Sequence, residues 1–275
     1  MATDGESALA AEYVFGHSEA ELHRLEFQAA LIEPITRQLL ADAGVKEGMR
    51  VLDVGTGRGD VALLVAEIVG RTGSVVGVDR ASAAISVARR RAAGVPNVSF
   101  EAGDPAEIAV SSPWDAVVGR YVLQFQSDAA ELLRSLTARV RSGGIVAFHE
   151  IDWSGHRSVP PVPSWDRCCR LATDALRAGG ADLEAGSRLP SIFAAADLPA
   201  PSIRMTTIVG AGSNSDDVIE RMTNLIRSLR PRIEQLGLAD ASQLDELAMQ
   251  LTADVGASAA FIMAGSEVAA WACVA

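Results

Sequence analysis

The segment Val51-Leu52-Asp53-Val54-Gly55-Thr56-Gly57-Arg58-Gly59-Asp60 limits the possible folds more than any other stretch of the chain. An apolar run from Met49 to Val54 meets three glycines at alternate positions. Val61, Leu64, Val65 and Ile68 then recur at helical spacing. The glycines let the backbone turn tightly and approach a ligand without a Cβ in the way. The start of the following helix adds oriented N–H donors. The same strand-then-helix rhythm repeats downstream. Ser74 to Val78 reads as a strand ending in Asp79, and Ser82 is expected to cap a helix that stops at Gly94. Val98–Glu101 and Trp114–Gly119 read as strands three and four. Asp128 is expected to cap a helix carrying Leu132, Leu133, Leu136 and Val140, closed by Gly143–Gly144 ahead of a fifth strand, Ile145–Ile151. Such alternation predicts an α/β fold whose parallel sheet is covered on both faces.

The flanks read differently. Ser18 and Glu21 fit an S-x-x-E capping box before Leu22, Leu25, Ala29 and Ile32. Pro34 is expected to restart or kink that helix, and Gly44 to end it. Residues 158–164, SVPPVPS, read as a proline-rich linker. Ser164 is expected to cap a helix with Trp165, Cys168, Leu171 and Leu176 on one face, closed by Gly179–Gly180. A short helix around Leu189–Ala196 and a strand Ser202–Val209 follow. Two amphipathic helices come next, one with Val218, Met222, Leu225 and Leu229, the other with Leu244, Leu247 and Leu251. A last strand is expected around Glu267–Val274. The expected organisation is an N-terminal helical segment over the site (1–44), a ligand-binding core (45–157), and the rest of the sheet (158–275) with cap helices inserted near 163–180 and 214–255.

Asp79 stands 20 residues after Gly59, where a carboxylate can accept the hydroxyls of a ribose. A nucleoside-containing cofactor follows. A dinucleotide loop is G-x-G-x-x-G, but here the spacing is G-x-G-x-G with Asp60 in the last glycine's place. Asp60 and Asp53 would repel a pyrophosphate and suit a cationic ligand. The net charge of −11 argues against tracking a nucleic-acid backbone. No apolar run reaches the roughly 18 residues of a membrane span. The acidic N-terminus lacks the basic flank of a signal peptide, so a cytoplasmic location is expected. Cys168, Cys169 and Cys273 have no metal-ligand spacing, and no metal site is expected.

Taken together, these motifs resemble those of class I S-adenosylmethionine-dependent methyltransferases. VLDVGTGRGD resembles the first motif, VVGVDR the acidic second-strand motif, and Phe100-Glu101-Ala102-Gly103-Asp104 the third-strand motif. WDAVVGR (114–120) is similar to the fourth-strand motif, and RSGGIV (141–146) to the turn before strand five, with Ser142 in place of the usual proline. The resemblance implies a Rossmann-like, mainly parallel seven-stranded sheet with a helical cap and S-adenosylmethionine as cofactor. By this resemblance Gly55, Gly57 and Gly59 line the methionine and ribose, Asp53 orients the amino group, and Asp79 with Arg80 marks the ribose position. Asp104 meets the adenine amino group, and backbone near Gly119 and Arg120 meets the methionine part. Pro105 has no N–H for the adenine ring, so that hydrogen bond is absent or comes from Ala106.

The donor motifs do not fix the acceptor. The [DNS]-P-P-[YFW] signature of amino-directed DNA methyltransferases is replaced by Gly119-Arg120-Tyr121-Val122. YVFGHSEAELHRL (13–25) and GSRLPSIFAAADL (186–198) resemble small-molecule methyltransferases of actinobacterial secondary metabolism. The chain as a whole is similar to the terpenoid-indole C-methyltransferases of teleocidin-type pathways. His149, at the end of strand five where relatives often carry Gln, is the candidate proton acceptor, and Tyr13 a candidate substrate or cofactor contact. Glu150 and Asp152 share the strand end, and His17 and His156 read as loop histidines. Tyr121, Phe125, Trp153 and Trp165 are expected to wall an apolar site for a small lipophilic acceptor. Carbon methylation of a prenyl double bond with ring closure is the leading expectation. O- or N-methylation is the alternative, and a non-catalytic binder or an NAD-dependent oxidoreductase is more remote. A swapped N-terminal helix makes a homo-oligomer the expected assembly.

Overall fold

The computed structural model describes residues 19–108 and 112–275. Tyr13, His17 and Ser18, and with them the predicted capping box and the helix-swap contact, lie outside the described residues. The chain divides into two compact units.

The larger unit comprises Phe27–His156, Leu183–Val209 and Met263–Ala275. Helix α1 (Glu19–Ala43) enters it at Phe27 and runs through Pro34 without a break, ending at Gly44, φ 87°. Strand β1 (Arg50–Val54) is followed by α2 (Asp60–Val69), β2 (Ser74–Asp79), α3 (Ser82–Arg91), β3 (Val98–Ala102) and β4 (Trp114–Arg120). Helix α4 (Ala129–Thr137) and β5 (Val140–Asp152) complete the parallel part. Strands β1–β5 pair in parallel in the order β3-β2-β1-β4-β5.

The two faces alternate as the strand period requires. Val51, Ala116, Val118, Ile145 and Ala147 pack with α1 and α2 side chains. Leu52, Val117, Val146 and Phe148 pack with Leu133 and Leu136 of α4. Asp128 caps α4 as expected, its carboxylate accepting the Glu131 amide at 2.8 Å. Asp128→Ala should lower stability by about 1 kcal/mol, to be read as a shifted urea midpoint.

Several boundaries differ from the sequence expectation. Helix α4 stops at Thr137, and Val140, Gly143 and Gly144 belong to β5 rather than to a helix end. The register slips between Trp114↔Val140 and Ala116↔Ile145, so the glycines sit in a bulge, with Gly143 at φ 69°. A Cβ on Gly144 would stand 2.9 Å from the Asp115 carbonyl oxygen, a packing reason for glycine. Ser82 is the first helical residue of α3 and not its cap. Asp79, two positions before the Ala81 cap, accepts the Ala81 amide instead.

The smaller unit comprises Arg157–Asp182 and Gly210–Ile262, with α1 up to Glu26. It holds a three-residue strand β6 (Arg157–Val159) and helix α5 (Pro163–Ala178). Helix α5 starts with proline in its first turn, after Val162. Ser164 is therefore inside the helix and is not its cap. In the larger unit come α6 (Ala185–Ala195) and β7 (Ser202–Ala211) up to Val209. The smaller unit then adds α7 (Asp216–Gln235) and α8 (Ala241–Ala257). Trp165, Met222 and Leu229 are buried in its core. The final strand β8 (Phe261–Cys273) returns to the sheet antiparallel to β5, with β7 also pairing β8. The expected seven strands are β1–β5, β7 and β8; with β6 the sheet counts eight.

No described helix is long and apolar enough to cross a membrane.

Candidate active site

The glycine loop joins β1 to α2. Gly55, Gly57 and Gly59 have φ of 62°, 53° and 84°, a region glycine enters without penalty. A Cβ on Gly55 would stand 2.7 Å from Val122 Cγ2, and one on Gly59 2.8 Å from Phe100 Cζ. At Gly57 a Cβ would meet nothing within 4 Å. Packing thus fixes the outer two glycines, and the middle one leaves open space beside a backbone whose amide is held by Asp79.

Three carboxylates sit at the strand ends around this loop. Asp79, half-buried, accepts the Gly57 and Ala81 amides, each at 2.8 Å. Asp53 is buried on β1, and its Oδ2 accepts the Thr56 hydroxyl at 2.5 Å. Its Oδ1 is buried and makes no well-aligned hydrogen bond, although the Ala62 amide of α2 lies near enough to favour the charged form. Burial pushes the Asp53 carboxyl up to about 7, against the pull of the Thr56 hydroxyl and the Arg120 charge. A buried carboxylate with acceptor capacity left over suits a cationic or amino-bearing ligand. Asp104 ends the loop after β3. Its Oδ1 accepts the Ala106 amide at 2.9 Å, and its Oδ2 lies 2.5 Å from Arg80. Burial raises this carboxyl, but the Ala106 amide and the Arg80 guanidinium outweigh it and hold it below the usual range.

Two expectations change here. Asp60, read as a carboxylate left for a cationic ligand, is 2.7 Å from Arg91 of α3, and its charge is met inside the fold. The Ala106 amide is not open but already bound to Asp104, so a contact with an adenine ring would be a shared hydrogen bond.

The second cluster lies at the ends of β4 and β5. His149 is fully buried. Its Nδ1 is 3.2 Å from the Thr36 hydroxyl of α1. Its Nε2 is 3.0 Å from Glu267 Oε2 of β8, close enough for an ion pair but off the line of a hydrogen bond. Arg120 donates to the same Thr36 hydroxyl at 3.2 Å, and Tyr121 donates to Glu267 Oε2 at 2.6 Å. On the other face of β5, Glu150 accepts the Val122 and Leu123 amides at 2.9 and 2.7 Å and the Gln124 amide at 3.4 Å. Burial pushes Glu150 up to about 8, although these amides favour its charged form.

Sequence reasoning brought His149 and Arg120 to this place but missed Thr36 and Glu267. The available signals were a hydroxyl on the buried stripe of α1 and an acid inside the apolar run of β8. Asp152 is structural: its carboxylate accepts from Ser154 and Ser187, which outweigh burial and hold it below the usual range. His156 is not a solvated loop histidine. Its Nδ1 lies 2.9 Å from the Trp153 carbonyl, its Nε2 accepts the Gly265 amide at 3.0 Å, and its ring stacks on Trp153. Trp165 fills the core of the smaller unit, so Tyr121, Phe125 and Trp153 are the half-buried aromatics among the four. Cys168 is a plain helix residue whose thiol burial pushes up to about 12.

Residues 45–184, a little over half of the chain, match a family model described as a methyltransferase domain. With its Rossmann-like sheet and glycine loop, the chain belongs to this family of S-adenosylmethionine-dependent methyltransferases. Over 115 residues it is 30% identical to the demethylmenaquinone methyltransferase of Staphylococcus aureus, covering 42% of this chain and 48% of that one. Over 124 residues it is 32% identical to the 2-phytyl-1,4-naphtoquinone methyltransferase of Synechococcus elongatus, covering 44% and 52%. The matched part therefore spans about half the length of these curated relatives. Among solved structures, YcgJ of Bacillus subtilis shares the fold with a TM-score of 0.56 at 18% identity, over 92% of this chain and 99% of that one. The geranyl diphosphate C-methyltransferase of Streptomyces coelicolor does so with 0.54 at 14%, over 96% and 88%.

Proposed function

We propose that the chain transfers the methyl group of S-adenosylmethionine to a carbon of a small lipophilic acceptor. The acceptor class is a prenyl or terpenoid double bond on an indole alkaloid, with ring closure before a proton is lost. One arrangement supports this reading: the glycine loop, with buried Asp53 beneath it, adjoins through Gly55 and Val122 a turn that carries an aromatic, Tyr121, tied to buried acid–base groups. An aromatic face stabilises a nearby carbocation, and the buried groups take up the proton. The curated relatives fit a lipophilic acceptor, since their names specify demethylmenaquinone and a phytyl-bearing naphthoquinone. The Tyr121–Glu267 hydrogen bond also favours a second reading, O-methylation, because the same groups would deprotonate a hydroxyl.

The test is mass spectrometry of reactions with methyl-deuterated S-adenosylmethionine and a panel of prenylated indoles, prenylated naphthoquinols and simple phenols. A cyclised, carbon-methylated indole is the expected product. Labelling of phenols alone would move the reading to oxygen. Calorimetric binding of S-adenosylhomocysteine without turnover would leave a non-catalytic binder, and binding of NADH in its place would overturn both readings.

A further inference from the structure

We propose that the Tyr121 hydroxyl is the proton acceptor of this site, that Glu267 receives the proton Tyr121 gives up, and that His149, Thr36 and Glu150 are positioning residues. The inference rests on the methyl-transfer reading above and names the groups that complete it.

Tyr121 has φ 58°, and Asp197 is the other non-glycine residue with positive φ among the described residues. A left-handed backbone costs a residue with a Cβ about 1–2 kcal/mol, so the surrounding structure must impose it. It does so from two sides. The Tyr121 amide donates to the His149 carbonyl at 2.8 Å. Beyond it, Glu150 gathers the next three amides. The turn abuts the donor loop directly, because Val122 is the residue that leaves no room for a Cβ on Gly55.

The side chains then form a directional chain. Arg120 donates to the Thr36 hydroxyl, which leaves that hydroxyl's own proton for His149 Nδ1 or the Ile32 carbonyl. A proton accepted at Nδ1 assigns the ring hydrogen to Nε2, which faces Glu267. Tyr121 donates to the same Glu267 oxygen. The cross-strand register explains the meeting: Glu267 lies opposite Ile151, and His149 is its diagonal neighbour on the same face. His149 and Glu267 are 0% and 1% exposed, whereas Tyr121 is half-buried. Arg120 keeps its charge and cannot pass a proton. Among the described groups of this cluster, half-buried Tyr121 is the one that can take a proton from an acceptor and hand its own to Glu267.

In the step, the acceptor's O–H bond breaks, or the C–H bond next to the cation left by methyl addition. Its electron pair stays on oxygen or closes the alkene. The proton bonds to Tyr121 Oη as the tyrosine's own O–H breaks and that proton passes to Glu267 Oε2, giving a neutral carboxylic acid. After product release the proton returns through Tyr121 to water.

The chain has two tyrosines, Tyr13 and Tyr121, so the full-length protein labelled with [ζ-¹³C]tyrosine gives two signals. Tyr13→Phe assigns them. Glu267→Gln should move the Tyr121 signal by more than its linewidth, and His149→Asn should move it less. A Tyr121 signal indifferent to Glu267→Gln overturns the relay, with or without a known acceptor. With an acceptor from the panel, Tyr121→Phe removes one oxygen and should lower kcat by about 100-fold or more, with the Kd for S-adenosylhomocysteine within about threefold. A kcat within threefold of the parent overturns Tyr121 as proton acceptor. If the unmodified protein methylates no member of the panel, the methyl-transfer reading fails by itself, and the tyrosine signal alone decides the relay.

Discussion

Asp79→Ala should lower the affinity for S-adenosylmethionine by roughly 100-fold, because hydrogen bonds to a charged group contribute about 1.5–3 kcal/mol each. The carboxylate does two jobs at once. It ties the Gly57 amide into the loop and the Ala81 amide at the start of α3, and it retains acceptor capacity for ribose hydroxyls. Losing it releases the Gly57 amide of the glycine loop and removes the ligand contact. Asp79→Asn keeps one acceptor oxygen and should fall between the parent and the alanine variant. Isothermal calorimetry with S-adenosylhomocysteine reads the effect, and thermal melting separates it from unfolding. Equal affinity in the parent and the alanine variant would remove Asp79 from the cofactor site.

The second large effect is a loss of stability as pH rises from about 5 to about 8. Burial holds Glu150 up to about 8 and Asp53 up to about 7, against ordinary values of 4.5 and 3.8. Across that window the native state keeps protons that the unfolded chain releases. Stability therefore falls with increasing pH and levels off once both groups are ionised in the native state. Each unit of such mismatch per group is worth about 1.4 kcal/mol, so a total loss on the order of 4 kcal/mol is expected after allowance for solvent relaxation. Asp104, Asp115 and Asp152 are held below their ordinary 3.8 and act with the opposite sign, but in more acidic solution, so they do not offset this decline. Glu150→Gln retains an oxygen for the turn amides and should flatten the profile. Urea unfolding at pH 5, 6, 7 and 8 measures it, and a parent protein more stable at pH 8 than at pH 5 would refute the assignment.

The sheet was legible because it is written in local signals. Apolar strands of five to seven residues alternate with helices, and Asp128 reads as a cap from its position alone. Gly55 and Gly59 were legible as a turn, although the packing against Val122 and Phe100 that makes them obligatory is not. What failed was information held by distant partners. Gly143–Gly144 look like a helix stop, and only the pairing of β5 with β4 turns them into a bulge. His156 looks like a loop histidine until β8 brings the Gly265 amide to it. Asp60 looks available until α3 places Arg91 beside it. The proton-handling cluster is the extreme case: His149 stands out at a strand end, but Glu267 is marked only as an acid in an apolar run, and nothing local says which residue it meets. Its function depends on β8 lying antiparallel to β5 in one register, and a shift of one residue would turn Glu267 to the opposite face.

That pairing also orders the assembly of the molecule. The donor loop closes through contacts local to β1, β2 and the turn after β4. The Tyr121–Glu267 bond joins residues 146 positions apart, and loop closure of that length comes late in folding. A species in which β8 has not yet docked would hold the nucleoside half of the site and lack the group that receives the proton. Cofactor binding would then report a half-finished sheet, and the tyrosine signal a finished one.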